Sequence, residues 1–390
     1  MALLVCKNCK RVYEVSGGDD CPGCRFAFPH SYNYAASDAY LKREIPRVLA
    51  QRAAAGLEGL VGGLECIIIN TEKTHLRAAA QELLDNTGLE LGGAFRDDAF
   101  AAILLKAPGS ADVLVTSRLR GRNPFATVNR HPRSKDLPNT RLETFVYRVS
   151  DIDRYVAIQR ERGVRFMSAR PIQGKSHAFI QTAPSRYTGN STGFVEWRGE
   201  RRDWRGPKSE RFDAGVAKPR KAHLAFVKEI DHAATRVRAE DRDLAIIEFM
   251  ELTSYRFDFA IYVKVFNSIT NVARLTAADY AMVFTSGIAP YVDDDVSGPT
   301  EKFIHGYGAR VHHVAFRTER IERVFSALKR EGMEFLIDLV GSKDEGLKQT
   351  FTMPSPLTML VTEYIHRYGD FDGFFTKSNV TLLTGATARQ

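Results

Sequence analysis

Four of the five cysteines form two CxxC pairs, Cys6-Lys-Asn-Cys9 and Cys21-Pro-Gly-Cys24, separated by an eleven-residue loop that carries Gly17, Gly18 and two Asp. Two-residue spacing lets both thiolates and the backbone amides between them wrap one tetrahedral ion, and Pro-Gly supplies the tight knuckle this needs. Soft S4 sites accept zinc or iron. A structural zinc held by Cys6, Cys9, Cys21 and Cys24 is the expectation. A second chemistry is available further along, where His232, the pair His312-His313 and Glu363 sit in apolar segments. Two imidazoles and one carboxylate on one face, with the other coordination positions open, make the triad of non-haem Fe(II) oxygenases. Those residues are far apart in the chain, so the fold must bring them together.

The positioning elements follow from periodicity. Residues 40–55 read as a helix ending in the glycine-rich stretch 56–63. An apolar strand is expected over 64–70, an amphipathic helix over 74–86, and strands over 99–106 and 113–117. The order returns with a strand over 141–149, a helix over 151–163 and strands at 165–167 and 193–197. Residues 201–221, basic and with two Pro and two Gly, read as an interdomain linker. A third unit has a strand over 229–237, a helix over 243–252 and strands over 258–266 and 280–285. The fourth has a strand over 310–317, a helix over 321–332 and strands near 334–340, 347–353 and 358–366. The expected class is α+β, with four βαβββ modules paired into two open barrels, because a half-barrel of three or four strands cannot bury its own concave face. The domains are then a knuckle at 1–30, a helical connector at 31–63, a first barrel at 64–200 without metal, the linker at 201–221, and a metal-binding barrel at 222–390.

Direct comparison supports the repeat. Residues 152–167 can be laid on 321–336 without a gap, and Ile152, Arg154, Gly163 and Phe166 coincide with Ile321, Arg323, Gly332 and Phe335. Extended backwards, the overlay sets Thr144 opposite His313 and Glu143 opposite His312. The other pair of units sets Cys66 opposite His232, while Glu196 matches Glu363. Only the second domain carries two His and one Glu at equivalent strand positions. Neighbouring residues on a strand point to opposite faces, so at most one of His312 and His313 should enter the cup.

The stretches Gly308-Ala-Arg-Val-His-His-Val-Ala-Phe-Arg-Thr-Glu-Arg-Ile321, Ile230-Asp-His232 and Thr362-Glu-Tyr-Ile-His-Arg367, with Gly373-Phe-Phe-Thr-Lys-Ser-Asn379 after them, resemble the metal-ligand strands and C-terminal segment of 4-hydroxyphenylpyruvate dioxygenase and its relatives. These belong to the vicinal-oxygen-chelate (glyoxalase/bleomycin resistance/dioxygenase) superfamily. The likeness spans about residues 225–385. The first 25 residues resemble instead a zinc ribbon or rubredoxin-like knuckle. The resemblance implies His232, His313 and Glu363 as Fe(II) ligands, Gln349 as a polar catalytic group near the metal and substrate, and Phe374 on a lid that stacks on an aromatic substrate. It implies a dioxygenase of aromatic amino acid catabolism that oxidatively decarboxylates and hydroxylates an arylpyruvate-like 2-oxo acid. Where the family tends to show Pro-x-Asn, this chain has Val283-Phe-Thr285-Ser286, its lid lacks the second glycine, and the span from His313 to Glu363 is shorter. These departures bear on the substrate more than on the metal, and they make Ser268, Thr285 and Ser286 the candidate specificity positions. A metal-dependent isomerase or lyase of the same fold is the alternative that uses no oxygen.

At 390 residues, with 44% hydrophobic and 26% charged residues, the composition is globular and excludes disorder or a small disulfide scaffold. The formal net charge of +8 raises the rival reading of a nucleic-acid-binding protein. The excess is local: residues 118–135 and 201–221 together carry +11, leaving about −3 elsewhere. Aromatic residues there are few, Phe125, Trp204 and Phe212, which argues for a small molecule and against nucleic acid as the partner. With no signal sequence and no apolar run of membrane-spanning length, a cytoplasmic homo-oligomer without a membrane partner is expected.

Overall fold

A computed structural model of the protein describes residues 3–5, 12–14, 38–369, 371 and 373–390. Cys6, Cys9, Cys21 and Cys24, and with them the expected knuckle, lie outside the described residues. Two short strands, β1 (Leu3–Val5) and β2 (Val12–Glu14), pair antiparallel ahead of helix α1 (Ala39–Ala54). No helix among the described residues is long and apolar enough to cross a membrane.

Two large sheets follow. The first contains β3 (Val61–Asn70), β4 (Glu90–Arg96), β5 (Phe100–Lys106), β6 (Asp112–Arg118), β7 (Arg141–Val149), β8 (Ile172–Gln173), β9 (His177–Gln181), β10 (Ser191–Trp197) and β11 (Glu210–Arg211). The second contains β12 (Val227–Arg236), β13 (Arg256–Val263), β14 (Ser268–Arg274), β15 (Ala281–Gly287), β16 (Arg310–Thr318), β17 (Phe335–Ser342), β18 (Leu347–Thr352) and β19 (Val361–Arg367). Their spatial orders are β11-β4-β5-β6-β3-β7-β10-β9-β8 and β13-β14-β15-β12-β16-β19-β18-β17. Apart from the short edge strand β11, the two orders correspond strand for strand. Each is a curled, open half-barrel of mixed pairing, with an antiparallel pair at its centre, β3 on β7 and β12 on β16.

Helices α2 (Leu76–Asn86), α3 (Ile152–Glu161), α4 (Arg242–Leu252) and α6 (Ile321–Arg330) connect the strands, and α5 (Pro299–Tyr307) and α7 (Lys377–Ala386) are additions to the second sheet. Helix α3 buries Ile152, Tyr155, Val156 and Gln159, one face of a 3.6-residue period. Its first turn is capped by Asp151, whose Oδ1 accepts from the Arg154 amide at 2.9 Å. α3 and α6 both run into the glycine that coincides in the repeat. Gly163 and Gly332 have φ of 85° and 92°, a left-handed conformation in which a Cβ would be strained.

Several strands escape the periodicity. β4 contains Gly92 and Gly93, β14 is rich in polar residues yet almost wholly buried, and β9 is short. The strand expected at 165–167 is a single bridge from Phe166 to Thr182. The strand expected over 258–266 stops at Val263, where a 3-10 turn leads to Asn267 in the left-handed region.

One apolar core joins the helix-covered faces of both sheets, from Ile67, Phe145 and Tyr147 to Ala233, Val314 and Phe316. The junction is reciprocal. Arg141 Nη2 donates to the Ala309 carbonyl at 2.7 Å, and Arg310, its counterpart, donates to the Thr140 carbonyl at 2.8 Å. The Tyr364 hydroxyl caps the last carbonyl of α2, Asn86, at 2.8 Å, and the Tyr155 hydroxyl that of α4, Leu252, at 2.7 Å. Both satisfy helix-end acceptors that lack intrahelical partners.

Residues 201–221 are fastened to the first sheet. Trp204 is 7% exposed and packs with Cys66, Leu104, Val146 and Val195 inside the first cup. Its indole donates to Asp112 Oδ2 at 2.7 Å, and Arg202 Nε donates to Asp112 Oδ1 at 2.8 Å. Lys218 donates to the carbonyls of Leu84 and Thr87 at the end of α2. Trp204→Ala should therefore lower unfolding free energy by roughly 3–5 kcal/mol, whereas the exposed Lys208→Ala should stay within about 0.5 kcal/mol. Urea denaturation of the two variants measures this.

Candidate metal centre

Strand register assembles the site. β12 runs antiparallel to β16, and β16 parallel to β19, with both His232 and Glu363 opposite Ala315. Three residues in one row across neighbouring strands share a face. His313 lies two residues along β16 and so looks the same way. Between His232 and Glu363 the row holds only a methyl group, which leaves room above Ala315 for the two longer side chains to converge. Their ligand atoms and that of His313 all lie within 4.8 Å of one another, a convergence found at no other His, Cys, Asp or Glu group among the described residues. His232 Nε2 is 3.1 Å and His313 Nε2 3.2 Å from the same oxygen, Glu363 Oε2. Atoms this close can all be bonded by one ion at about 2.1 Å.

The outer partners fix which ring nitrogens carry protons. Asp231 Oδ1 lies 2.7 Å from His232 Nδ1, and Asp231 is itself paired with Arg367. Burial pushes the Asp231 carboxyl up, but the His232 hydrogen bond and Arg367 outweigh it and hold it well below the usual range. An ionised Asp231 accepts the Nδ1 proton, which leaves the Nε2 lone pair pointing at Glu363. His313 Nδ1 is 2.8 Å from His312 Nδ1, and His312 Nε2 is 2.8 Å from Gln390 Oε1. Gln390 accepts from His312, so the neutral His312 accepts from His313, and the His313 Nε2 lone pair also points at Glu363.

Both His312 and His313 line the same cavity. The expectation that strand alternation would exclude one of them is corrected by a bulge. Ala234 pairs with His313 and Thr235 with Val311, so His312 has no partner on β12 and its side chain is re-aimed. The first sheet carries the same bulge at Glu143, where Ile68 pairs with Thr144 and Ile69 with Leu142.

Two buried imidazole lone pairs against one carboxylate oxygen require a positive charge between them. His232 Nε2 makes no hydrogen bond, although it is fully buried. Burial alone would lower the His232 pKa, but Glu363 and Asp231 raise it to about 9, so a proton is held there at neutral pH. His313 is driven well below its ordinary value by burial, with His312, His232 and Arg236 adding to the effect. The donors therefore fit a divalent transition-metal ion, which would replace that proton.

Gln349 is placed beside the triad, where its Nε2 donates to Glu363 Oε1 at 2.6 Å and its Oε1 accepts from Asn379 on α7 at 3.0 Å. With both ends of the amide engaged, it orients Glu363. Ser268 and Thr285 line a cavity of about 50 Å³ next to the triad. Ser286 does not, because it alternates to the other face of β15 and donates to the Gly287 carbonyl at 2.7 Å. Phe374 packs against the His232 ring with centroids 5.4 Å apart, while its neighbour Phe375 lines the cavity. The sequence reading missed Arg236, Thr270, Thr300 and Phe375, which also line the cavity. Arg236 lies four residues beyond His232, so the strand period alone points it the same way.

In the first sheet Cys66 and Gly193 both lie opposite Val146, as His232 and Glu363 lie opposite Ala315. The counterpart of Glu363 is therefore Gly193. Glu196, matched to it by sequence, sits three residues further on, accepts from the Ile152 amide at 3.1 Å and pairs with Arg198. The Cys66 thiol is raised well above its usual range by burial, with Asp112 contributing.

No family model matches the chain, and no curated protein sequence matches it. Among solved structures, a triple mutant of 4-hydroxymandelate synthase from Streptomyces coelicolor superposes with a TM-score of 0.62 at 17% identity, over 85% of this chain and 99% of that one. A xylose isomerase-like TIM barrel/4-hydroxyphenylpyruvate dioxygenase fusion protein gives 0.61 at 14% identity, over 91% of this chain and 59% of that one. The likeness is one of fold.

Because metal must displace the His232 proton, ferrous affinity should rise about tenfold per pH unit up to about pH 9 and then level. Metal titrations between pH 6 and 10 give the slope, and a flat profile would exclude proton competition at His232. Asp231→Asn and Gln390→Ala should each weaken ferrous binding by roughly 10–100-fold with the fold intact, as loss of an outer partner does. Equilibrium dialysis of the metal and circular dichroism check both halves of that statement.

Proposed function

We propose that this protein is a non-haem Fe(II) dioxygenase that oxidatively decarboxylates and hydroxylates an arylpyruvate-like 2-oxo acid, with His232, His313 and Glu363 as its iron ligands. The observation that carries the reading is the meeting of the His232 and His313 Nε2 atoms on Glu363 Oε2 at 3.1 and 3.2 Å. The structural neighbours, a 4-hydroxymandelate synthase and a 4-hydroxyphenylpyruvate dioxygenase fusion, lend it support. When bound, the ion supplies the redox chemistry of dioxygen and open positions for the carboxylate and carbonyl oxygens of the substrate.

The chain's own part is positioning and exclusion of water. Asp231 and His312 hold the two rings in the tautomer that presents Nε2, and Gln349 turns Oε2 of Glu363 inward by holding Oε1. Gln349 is on this reading a positioning residue. Val272, Val283, Phe374 and Phe375 make the wall near His232 apolar, which keeps bulk water from the reacting atoms. Val380, Leu383 and Thr384 of α7 close the cavity, and a substrate of aromatic size requires α7 to move outward.

The same reading divides the chain into two barrels, each a pair of βαβββ units, at 64–200 and 222–390, with 31–63 as the helical connector and 201–221 joining the barrels. It assigns Cys6, Cys9, Cys21 and Cys24 of the 1–30 segment to a separate structural zinc. Purified protein should then hold about one ferrous ion besides the metal of the cysteines. His313→Ala and Glu363→Ala should remove it and abolish oxygen uptake with a panel of 2-oxo acids, while Cys21→Ala keeps the iron. Metal analysis and an oxygen electrode decide the matter. Full iron content in both ligand variants would falsify the triad, and substrate turnover without oxygen uptake would point to an isomerase or lyase.

A further inference from the structure

Arg236 is 4% exposed and lines the cavity beside the triad. Its Nη1 has no hydrogen-bond partner, and no carboxylate among the described residues forms an ion pair with it. The guanidinium lies over the Phe303 ring, 4.5 Å from the centroid, and this contact holds the plane in place without neutralising its charge. Glu301 is the carboxyl that acts on it electrostatically, yet Glu301 is spent on the Gly287 amide and is lifted to about 8 by burial. Thr285, the register neighbour of Arg236 on β15, also lines the cavity and also has a buried hydroxyl without a partner.

The first sheet provides an internal control. Asn70 and Thr116 pair there in the register that Arg236 and Thr285 occupy in the second. Thr116 Oγ1 donates to Asn70 Oδ1 at 3.2 Å, and Asn70 Nδ2 donates to the Asn139 carbonyl at 2.7 Å. The architecture thus accepts a neutral, satisfied pair at this position. A buried cation with free donors is costly to keep in an apolar cup unless an anion comes to it.

We propose that Arg236 and Thr285 bind a second oxyanion on the substrate, at the end remote from the metal, so that the preferred substrate is a 2-oxo acid bearing a second carboxylate. The proposal rests on the reading of the triad as a metal centre that chelates a 2-oxo acid. Four residues of extended strand separate Arg236 from His232, about 13 Å between their Cα atoms. Arg236, His313 and Glu363 line one cavity, so the second anion would sit across it from the ligand atoms, joined to them by a dicarboxylic chain or a ring carrying a carboxylate.

The test uses the whole protein loaded with ferrous iron under argon, and compares 2-oxoadipate with 2-oxohexanoate and 4-carboxyphenylpyruvate with phenylpyruvate by calorimetry. At least one diacid should bind about tenfold or more tightly than its matched monoacid, the scale of a buried charge-assisted pair. Arg236→Gln should bring that ratio to within about threefold of one, and Arg236→Lys should keep part of it. Thr285→Val should reduce the ratio severalfold. Equal binding of diacid and monoacid by the wild type would overturn the proposal even if the Arg236 variants failed to fold, and so would an undiminished ratio in Arg236→Gln. Oxygen uptake is scored separately. A diacid preference without oxygen uptake keeps the anion site and sinks the dioxygenase, whereas uptake with equal affinities does the reverse.

Discussion

Two imidazole lone pairs and a carboxylate oxygen, buried within 4.8 Å of one another, repel unless something positive lies among them. Much of the second sheet is organised around holding that arrangement. Asp231 must be ionised to keep the proton on His232 Nδ1, and a buried carboxylate needs the Arg367 partner it has. His313 must also hold its proton on Nδ1, and a neighbouring acceptor inside an apolar strand is available only because the bulge turns His312 back into the cup. Glu363 must offer one oxygen to the cluster and not both, which is the consequence of the Gln349 amide on the other.

The first sheet shows what the same scaffold does when that constraint is absent. At the counterpart positions stand Cys66, Thr144 and Gly193, with Val146 in place of Ala315. A Cβ on Gly193 would fall 2.9 Å from a Thr144 methyl and 3.0 Å from the Phe179 ring, so a side chain there would force its neighbours to shift. Trp204 enters the cup from residues 201–221 and packs there, and Trp197 stands against it with ring centroids 4.8 Å apart. The basic character of that segment has an internal use, since Arg201 pairs with Glu65 and Arg202 with Asp112. What looks in the sequence like an electrostatic footprint is in good part the fastening of a plug.

The legibility of the site in the sequence depends on how local the relevant signal is. His232 and His313 stand out because each sits in an apolar run and lacks a histidine in the repeat. Glu363 could be read as a ligand, but its counterpart was misread as Glu196, because a carboxylate in a similar dipeptide context outweighed a register that only strand pairing defines. The bulge at His312 leaves no trace in the sequence, since it exists in the pairing of β16 with β12. Arg236 was hidden for another reason. It falls inside the strand expected over 229–237, but it stands just before Arg238, Glu240 and Asp241, so its charge looks like part of a solvated strand end although the side chain is buried. β14 was missed because Ser268, Thr270 and Asn271 look like loop residues, though all three are buried.

The C-terminal segment links ligand orientation to closure of the cavity. Asn379, near the start of α7, donates to Gln349, which holds Glu363. Gln390, eleven residues on, accepts from His312, which holds His313. One segment therefore supports two of the three ligands from opposite ends, while Val380, Leu383 and Thr384 between those ends cover the space beside them. A displacement of α7 large enough to admit a substrate would break the hydrogen bond from Asn379 to Gln349 and free Glu363 to turn. Entry and ligand geometry are thus coupled through hydrogen bonds already in place, and the site is best ordered when the cavity is closed.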